Sequence, residues 1–411
     1  MSMFLTGATV IDGLADEPAT DVQILVEGER IAEVGSPGLP GDADLVDLSG
    51  LTLLPGLIDA HVHIGHSSEM RAVLNMELSV AERAADIFRT LRQTLDAGFT
   101  AVRDCGGIDH GVLRTVGRGL VPGPRIWASA SPLVQCGGHG HLGSPFVGPD
   151  ETFHFRVRGL TAVGRISDGC DEVRKAAREC FRQGASFLKM AVTGGVVSIA
   201  DNLSDTQFTV EEIATAVAEA HARNTYVTVH AHNVPGIRNA VTAGVECVEH
   251  GTGIDEPTAA MMAAHGVSLV PTLAIAKVLE ENFDVHGLPP QIRDRVCGTM
   301  DGMIDGIRAA MAAGVPVGSG SDLIGPDQNR RGLEIALKAE VIGAMPAIKS
   351  ATSVNAKIMR VADRIGSIAP GKYADLVAVD FDPLTEPALF DDPERVVLVI
   401  KGGRIVKDTR K

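Results

Sequence analysis

Short apolar runs alternate with amphipathic stretches through the middle of the chain, and this alternation limits the possible folds more than any other feature. Two of the amphipathic stretches, AERAADIFRTLRQTLDAG and VEEIATAVAEAHARN, have helical character. Strands joined by helices form a parallel sheet. The apolar runs, in chain order, are GLIDAHVH, FTAVRDC, RIWASAS, SFLKMAV, YVTVHAH, CVEHG, VSLVPTL and VPVGSGSD. Eight strands with intervening helices predict an α/β protein with a (β/α)8 barrel, or TIM barrel.

The two ends of the chain have a different pattern. Residues 3–54 carry the β-like runs FLTGATVI, VQILVEGERIAEVG and ADLVDLSGLTLL, and the stretch from about 365 carries GSIAPGKYADLVAVD and RVVLVIKGGRIV. Short β-runs separated by Gly, Pro and Asp are typical of antiparallel sheets. We therefore expect residues 1–55 and 361–411 to form one small β-sandwich domain, with the barrel at residues 56–360.

The length of the chain limits its domain organisation, and its net charge excludes some classes of binding partner. A barrel takes about 250 residues, so a chain of 411 residues leaves room for one smaller module. The chain has 37 basic and 52 acidic residues and a net charge of −15, which repels nucleic acids and anionic membrane surfaces. We expect a small-molecule substrate and a homo-oligomer, with neither nucleic acid nor membrane as a partner.

The sequence also indicates a compartment. The start MSMFLTGATVIDG lacks a basic region followed by a long apolar one, and no apolar stretch reaches about 18 residues. The six cysteines lack CxxC spacing, which argues against disulfides and against a thiolate zinc site. We therefore expect a cytoplasmic protein with reduced, mostly buried cysteines.

Polar residues close the predicted strands, where barrel enzymes place their active sites. They are His61, His63, Lys189, His230, His232, His250 and Asp322. His61 and His63 share one face of a strand and could hold a metal ion, or could be hydrogen-bonded core histidines. Nitrogen and oxygen ligands without thiolate suit Zn²⁺, Mn²⁺, Co²⁺ or Fe²⁺.

Lys189 lies inside the apolar run SFLKMAV, where burying an ammonium group costs several kcal/mol. A neutral amine could instead add carbon dioxide and form a carbamate, whose two oxygens bridge two metal ions. The alternative is a lysine whose ammonium group reaches the solvent at the mouth of the barrel.

Three connections are longer than a barrel requires and are candidate lids. They are GHSSEMRAVLNMELS, PLVQCGGHGHLGSPFVGPDETFHFRVRGL and AIAKVLEENFDVHGLPP. The second contains Leu142, Phe146, Phe153 and Phe155, which could line an apolar pocket or pack the lid on the barrel.

Several motifs together resemble the amidohydrolase superfamily over nearly the whole chain. They are PGLIDAHVH, GASFLKMAVTGG, VTVHAHN, VEHG, GSGSD and NAKIMRVADRIGSIAPGKYADLVAVD. More narrowly, the sequence resembles the branch with prolidase-like dipeptidases, Xaa-Arg/Lys carboxypeptidases, ochratoxin amidohydrolases and enzymes that cleave xenobiotic carbamates and ureas.

This resemblance implies a binuclear metal centre with two divalent ions, zinc first and Mn, Co or Fe as alternatives. His61, His63 and Asp322 would bind the more buried ion, His230 and His250 the more exposed one, and carboxylated Lys189 would bridge them. A metal-bridging hydroxide would attack the substrate carbonyl. Asp322 would be the general acid and base, and His250 and Lys189 complete the catalytic set.

The implied reaction is hydrolysis of an amide-type C–N bond in a dipeptide, an N-acyl amino acid or a related small amide. The alternatives are a carbamate or urea hydrolase on the same site, a deaminase, and a non-catalytic protein that kept the barrel. Lys189 at its strand end argues against a deaminase, and the complete ligand set argues against a non-catalytic protein.

Substrate contacts are expected from His139 and His141, in the loop QCGGHGHLGSP, and from His232. In prolidase-like members the position of His232 resembles a tyrosine that contacts the substrate carboxylate, so histidine here argues against Xaa-Pro cleavage. Arg103 is expected in a structural ion pair, and Arg238, Arg330 and Arg331 as exposed arginines rather than substrate anchors. The other histidines, among them His66, are expected at the surface or in loops.

Overall fold

The structure of this protein is a computed structural model that describes residues 2–38, 41, 43–69, 72, 77–141, 146, 148, 156–198, 200–283 and 290–410. The strands are β1 (Ser2–Thr6), β2 (Thr9–Val10), β3 (Gln23–Glu27), β4 (Arg30–Gly35), β5 (Asp44–Asp47), β6 (Thr52–Pro55), β7 (Leu57–Val62), β8 (Phe99–Asp104), β9 (Arg125–Ala128), β10 (Leu133–Val134), β11 (Arg165–Ile166), β12 (Leu188–Ala191), β13 (Val227–Ala231), β14 (Cys247–His250), β15 (Ser268–Val270), β16 (Leu376–Val379), β17 (Val396–Lys401) and β18 (Arg404–Asp408).

The α-helices of the described residues follow the same order. They are α1 (Val80–Asp96), α2 (His110–Gly117), α3 (Cys170–Arg182), α4 (Val210–His221), α5 (Val234–Thr242), α6 (Glu256–Ala264), α7 (Leu273–Glu281), α8 (Arg293–Ala312), α9 (Leu333–Ile342), α10 (Ala344–Lys349) and α11 (Asn355–Ile358). Short 3₁₀ turns span Ile64–His66, Pro290–Ile292, Gly325–Asn329, Pro387–Asp391 and Pro393–Arg395, and a π-helical turn spans Ser350–Val354.

The central strands form two parallel sheets. One has the order β7-β8-β9 and the other β11-β10-β12-β13-β14-β15. Every residue of β7, β8, β12, β13 and β14 is buried, as expected for strands with both faces covered. The α/β class predicted from the alternating pattern is confirmed.

Hydrogen bonds outside the named strands link the two parallel sheets at both ends. The amide of Ser186 donates to the carbonyl of Ala128, which joins β9 to the residues before β12. On the other side, Val317 bridges Leu269 of β15, and the amide of Ala60 in β7 donates to the carbonyl of Ser319. These contacts are consistent with the closed barrel expected from the sequence.

The run at 315–322, expected as an eighth strand, differs from the other seven. It forms a single bridge at Val317 rather than a regular strand. Pro316 has no amide to donate, and a Cβ added at Gly320 would lie 2.4 Å from Cβ of His61. The segment therefore packs against β7 too closely for ordinary side chains.

Two helices begin with a motif that is readable from the sequence. The Ser79 side chain accepts a hydrogen bond from the amide of Glu82, and the Glu82 side chain returns one, which starts α1. Thr209 and Glu212 form the same capping box at the start of α4. Both helices then pack their apolar faces against the parallel strands.

The two ends of the chain meet in two further sheets. One has the order β4-β3-β1-β5 and the other β18-β17-β16-β6-β2, so β6 of the N-terminal part pairs directly with β16 of the C-terminal part. A buried cluster that includes Met3, Leu5, Ile24, Leu398 and Ile400 combines residues of both sheets. This matches the expected pairing of the two ends, while the domain limits at residues 55 and 360 stay a prediction.

The long connections differ in part from the expected lids. Leu133 and Val134, predicted as loop, form β10 and pair with β11 and β12. Phe146 is 95% exposed, so its own side chain does not line a pocket. Leu142, Phe153 and Phe155 lie outside the described residues, as do parts of all three connections.

Two further expectations concern cysteines and membranes. All six cysteines are free, as predicted, but only Cys105, Cys180 and Cys247 are buried, so the expectation of mostly buried thiols is met for half of them. Among the described residues, none of the helices combines the length and the apolar character needed to span a bilayer.

Candidate metal centre

The structure brings the six expected metal ligands together at the carboxyl ends of the parallel strands. His61 lies in β7 and His63 directly follows it, Lys189 lies in β12, His230 in β13, and His250 ends β14. Asp322 ends the irregular segment at 315–322, and its amide donates to the carbonyl of His61. The six side chains therefore come from distant parts of the sequence.

His61, His63 and Asp322 form the first cluster. Nε2 of His61 lies 3.3 Å from Nε2 of His63, and Oδ1 of Asp322 lies 3.4 Å and 3.3 Å from these two nitrogens. Ligand atoms on a tetrahedral zinc ion at about 2.1 Å lie about 3.4 Å from one another. The three atoms are thus spaced as ligands of one ion.

His230 and His250 form the second cluster. Nδ1 of His230 lies 2.8 Å from Nε2 of His250. The other ring nitrogens face oxygen atoms, with Nε2 of His230 at 3.2 Å from the carbonyl of Gly194 and Nδ1 of His250 at 2.8 Å from Oγ1 of Thr272. Such contacts fix ring orientation and leave one nitrogen of each histidine available to an ion.

Lys189 is 4% exposed, and its Nζ has no hydrogen-bond partner among the described residues. A buried polar group without a partner carries a desolvation cost that a native structure normally offsets. The charge of Lys189 acts on His61, Asp322 and His250, so the amine lies within electrostatic reach of both clusters. An unpaired amine at this place fits a group that becomes a ligand.

The electrostatics of the cluster favour metal binding. Burial lowers the pKa of His61, His230 and His250, which keeps these imidazoles neutral and able to coordinate. For Asp322, burial acts to raise the pKa, but the interactions with His61 and His63, which include a hydrogen bond from His63, outweigh it and lower the pKa to about 2. The carboxylate is therefore ionised at neutral pH.

His63 differs from the other ligands. Burial opposes protonation, but the hydrogen bond and charge of Asp322 together raise the pKa of His63 above its ordinary value. Its Nδ1 lies 2.5 Å from the carbonyl of Gly106, which sets the orientation of the ring. Nε2 therefore points toward Asp322.

Two of these residues have strained backbones. The φ angles of His250 and Asp322 are 68° and 55°, in the left-handed region that residues other than glycine seldom adopt. Strain of this kind persists where the surrounding structure enforces it, and it clusters at functional sites. The backbone is thus held in the conformation that directs both side chains into the centre.

Glu249 is a member of the site that sequence reasoning missed. Its Oε2 lies 2.8 Å from Nδ1 of His61, its Oε1 accepts a hydrogen bond of 2.5 Å from Arg103, and Thr228 also donates to Oε1. Arg103 thus forms the structural ion pair that was expected. The available signal was an arginine and a glutamate inside two apolar runs, FTAVRDC and CVEHG.

His66 lies in the 3₁₀ turn after β7, a loop position as expected, and it is partly buried beside the ligands. Its ring stacks on His63, with ring centroids 5.3 Å apart. Burial lowers the pKa of His66 to about 3. The sequence did not indicate its place beside the ligands, because His66 lies outside the alternating pattern of the strand.

The three residues expected to contact substrate occupy different environments. His139 stacks on His230 at 4.1 Å between centroids, and its buried Nδ1 has no partner among the described atoms. His232 stacks on His250, and its Nδ1 lies 2.8 Å from Oγ1 of Thr252. Nδ1 of His141 instead accepts from the amide of Gly137, a contact within its own loop.

The arginines expected to be exposed behave in two ways. Arg238 pairs with Asp255, and Arg330 pairs with Asp391 and Glu281 on the protein surface. Arg331 is fully buried, so the expectation of an exposed side chain was wrong for this residue. Several hydrogen bonds offset the cost of burying its charge, and sequence alone does not reveal them.

Three groups of described residues have ligand atoms close enough to share an ion. They are His61, His250 and Asp322; His230, His232 and His250; and His61, Cys105 and Glu249. Neutral imidazoles and a carboxylate are ligands for Zn²⁺ and similar divalent ions. The arrangement could therefore bind metal and activate water beside it.

Comparisons with known proteins agree with this geometry. The model of the amidohydrolase family matches residues 52–406. Ochratoxinase from Aspergillus niger is 29% identical over 406 residues, which cover 95% of this chain and 84% of the relative.

Solved structures give the same result. A prolidase complexed with N-methylphosphonate-L-proline is 36% identical, with a TM-score of 0.92 over 99% of this chain and 100% of the other. A Xaa-Pro dipeptidase with methionine bound in its active site is 29% identical, with a TM-score of 0.88 over 99% of this chain and 100% of the other.

Both the family match and these similarities extend over most of the chain, and they include every ligand described above. Ochratoxinase and prolidase are hydrolytic enzymes of the same branch. The chain therefore belongs to the amidohydrolase family and is a hydrolase of the branch that includes ochratoxinase and the prolidase-like structures.

Proposed function

We propose that this protein hydrolyses the amide C–N bond of a small substrate, a dipeptide or an N-acyl amino acid, at a centre of two divalent metal ions. The observation that carries the proposal is the buried, unpaired amine of Lys189 within electrostatic reach of two clusters of metal ligands.

In this proposal His61, His63 and Asp322 hold one ion, and His230 and His250 hold the other. The amine of Lys189 would add carbon dioxide with loss of one proton, and the resulting carbamate would supply an anionic oxygen ligand shared by the two ions. The orphaned Nζ and the ligand-like spacing of the first cluster support this assignment. Zinc is the first candidate, with Mn, Co and Fe as alternatives.

The chemistry supplied by the bound ions would be a lowered pKa of water and polarisation of the scissile carbonyl. Asp322 is ionised at neutral pH, so its carboxylate can accept the proton of the attacking water. The same group then delivers that proton to the departing nitrogen, which leaves as a neutral amine. His250 and Asp322 keep their orientation because the backbone holds both in the left-handed region.

The substrate would lie against His139, His141 and His232. The unpaired buried Nδ1 of His139 is free to receive or donate one hydrogen bond to a bound molecule. The names of the prolidase and the Xaa-Pro dipeptidase support a dipeptide-like substrate. His232 stands where the prolidase-like pattern has a tyrosine, and this favours a substrate other than Xaa-Pro.

We also propose the complete architecture behind this site. The eight central segments form a closed (β/α)8 barrel over residues 56–360, with residues 1–55 and 361–411 in one β-sandwich domain. The bonds that link β9 to the residues before β12, and Ser319 to β7, support the closure. The direct pairing of β6 with β16 supports the second domain.

Amine release from a substrate library tests the proposed function. The library contains dipeptides, N-acyl amino acids and aryl carbamates, the protein is saturated with Zn²⁺ or Mn²⁺, and Lys189→Ala serves as the blank. Turnover of dipeptides or N-acyl amino acids is the expected result. Turnover confined to the aryl carbamates would contradict the proposed substrate class.

A further inference from the structure

A buried network behind the proposed metal centre joins the strand that carries His61 to the segment that carries Asp322. Its members are Arg331, Asp59, Ser321 and Gln328, and we call it the Arg331 network. The side chains of Arg331 and Asp59 are 0% and 1% exposed. Neither residue contacts substrate in the proposed function, and the proposed reaction does not use them.

Asp59 holds the two backbone segments together. Its Oδ1 accepts hydrogen bonds from the amides of His61, at 3.2 Å, and Ser321, at 2.9 Å. Its Oδ2 accepts from Oγ of Ser321, at 2.5 Å, and from Nη1 of Arg331, at 3.0 Å. One carboxylate thus fixes a residue of β7 relative to the residue before Asp322.

Arg331 extends this connection to the third ligand of the cluster. Its Nη2 donates to Oε1 of Gln328 at 2.7 Å, and Nε2 of Gln328 donates to the carbonyl of His63 at 3.2 Å. Its Nε donates to Oγ1 of Thr94 in α1 at 3.1 Å, which ties the guanidinium to the helix layer. The guanidinium therefore reaches the backbone of His61 through Asp59 and that of His63 through Gln328. Its Nη1 also donates to Oγ of Ser321, the residue before Asp322, at 3.2 Å.

The strained backbone of Asp322 explains why contacts from this network are needed. Its φ of 55° is strained, so the segment needs external contacts to keep the carboxylate directed at His61 and His63. Ser321, the preceding residue, is held at both its amide and its hydroxyl by Asp59. Without these bonds the segment could relax, and the spacing of the three ligand atoms would change.

We infer that Arg331 and Asp59 are positioning residues that set the geometry and the affinity of the metal site formed by His61, His63 and Asp322. This inference rests on the proposed function. The network acts through backbone placement, and the cost of burying its ion pair is offset by the several hydrogen bonds of the pair. Its loss should change metal binding more than substrate binding.

The test measures metal binding as well as turnover. Metal-free wild-type protein, Arg331→Gln and Asp59→Asn are titrated with Co²⁺, and the visible absorption of bound cobalt reports the ligand geometry. We expect Arg331→Gln and Asp59→Asn to bind the cobalt ion at the site of His61, His63 and Asp322 about 10- to 100-fold more weakly than the wild-type protein does. Their cobalt spectra should change and kcat should fall, while KM stays within about threefold of wild type. Arg331→Lys keeps the charge but not the four-way donor geometry and should be intermediate.

Two control variants separate positioning from general destabilisation. Arg330→Gln removes the neighbouring arginine, which pairs with Asp391 and Glu281 at the surface, and should bind cobalt as wild type does. Val377→Ala removes buried volume in β16 and should lower the unfolding temperature without changing the cobalt spectrum. Circular dichroism establishes that each variant is folded.

The possible results distinguish a failure of this inference from a failure of the proposed function. Wild-type cobalt affinity and spectrum in folded Arg331→Gln and Asp59→Asn would overturn the inference and leave the proposed function standing. An equal change in Val377→Ala would overturn it as well, because the effect would then follow stability alone. If Arg331→Gln does not fold, Asp59→Asn and Arg331→Lys give the same comparison. A wild-type protein that binds no metal would contradict the proposed function itself.

Discussion

Nδ1 of His61 lies 2.8 Å from Oε2 of Glu249, and both side chains are almost completely buried. The other oxygen of the same carboxylate accepts a hydrogen bond from Arg103, at 2.5 Å. A carboxylate behind a ligating histidine fixes its tautomer and increases its basicity. Glu249 therefore orients Nε2 of His61 toward His63 and Asp322, while Arg103 balances the buried negative charge.

Glu249→Gln is expected to weaken both the metal site and the fold. The substitution leaves Arg103 as an uncompensated buried cation, which costs about 3–5 kcal/mol of unfolding free energy, and it weakens metal affinity by about 10- to 100-fold. Urea unfolding and metal titration measure the two effects. Glu246→Gln, at a partly exposed residue that pairs with His221 and Arg360, is the matched control and should change stability by less than about 1 kcal/mol. Equal effects in both variants would contradict the role given to Glu249.

Lys189→Ala is expected to lower the bound metal and to abolish turnover while the fold persists. The substitution removes a buried amine that has no hydrogen-bond partner, so it breaks no hydrogen bond among the described residues. Metal analysis, circular dichroism and ¹³C NMR after growth with labelled bicarbonate are the measurements. The wild-type protein should give a carbamate resonance that the variant lacks. Full metal content and an unchanged rate in Lys189→Ala would exclude the bridging assignment.

His232 and His230 should respond differently to substitution. The ligand atoms of both residues lie close enough to those of His250 to share one ion. Nδ1 of His232, however, is hydrogen-bonded to Oγ1 of Thr252, whereas Nδ1 of His230 lies 2.8 Å from Nε2 of His250. We expect His230→Ala to lose one bound ion, and His232→Ala to keep both and to raise KM by about tenfold, equal to about 1.4 kcal/mol of substrate binding. Metal content and steady-state kinetics decide between the two roles. Loss of metal in His232→Ala would make it a ligand.

Gly320→Ala is expected to disturb the metal site through the backbone. The new Cβ would lie 2.4 Å from Cβ of His61 and 2.8 Å from Cγ1 of Val270, and neither neighbour can move freely. Overpacking of this kind costs about 1–3 kcal/mol, and we expect weaker metal binding with it. Gly298→Ala is the control, because a Cβ there meets no atom within 4 Å and α8 should gain about 1 kcal/mol. Thermal unfolding and metal titration of both variants test the difference.

Alkaline pH should destabilise the protein through its buried thiols. Burial raises the pKa of Cys180 from 9.0 to about 11. Between these values the unfolded chain loses the proton and the folded chain keeps it, so stability is complete below pH 9 and falls as the pH rises to 11. The loss is on the order of 3 kcal/mol. Cys180→Ala should flatten the curve of unfolding free energy against pH, whereas Val173→Ala, in the same helix and core, should keep the wild-type slope.

The sequence predicted the strands and ligands well where a simple periodicity governs them. Seven of the eight expected apolar runs contain regular strands, because consecutive buried residues between helical stretches leave few alternatives. The ligands could be found because parallel strands end at one edge, which places His61, Lys189, His230 and His250 together. The family resemblance then supplied roles that periodicity does not contain.

The remaining features depend on contacts between distant residues. Glu249 and Asp59 lie inside recognised motifs, but His61 lies 188 positions from Glu249 and Arg331 lies 272 positions from Asp59, so spacing alone does not reveal these contacts. The irregular eighth segment and the strained φ of Asp322 arise from close packing against β7, which no local propensity encodes. The stacking of His66 on His63 is also a three-dimensional relationship, which its loop position does not reveal.

The pairing of β6 with β16 has a consequence for synthesis on the ribosome. Leu53 faces Ala378, so the partner of an early strand is translated about 325 residues later. At about 5–20 residues per second, the apolar edge of β6 waits roughly 15 to 65 seconds for its neighbour. During that interval the nascent chain exposes an unpaired strand edge. Nascent chains on neighbouring ribosomes expose the same edge at the same time. Slower translation or crowded expression would therefore increase aggregation of this protein before the metal centre can form.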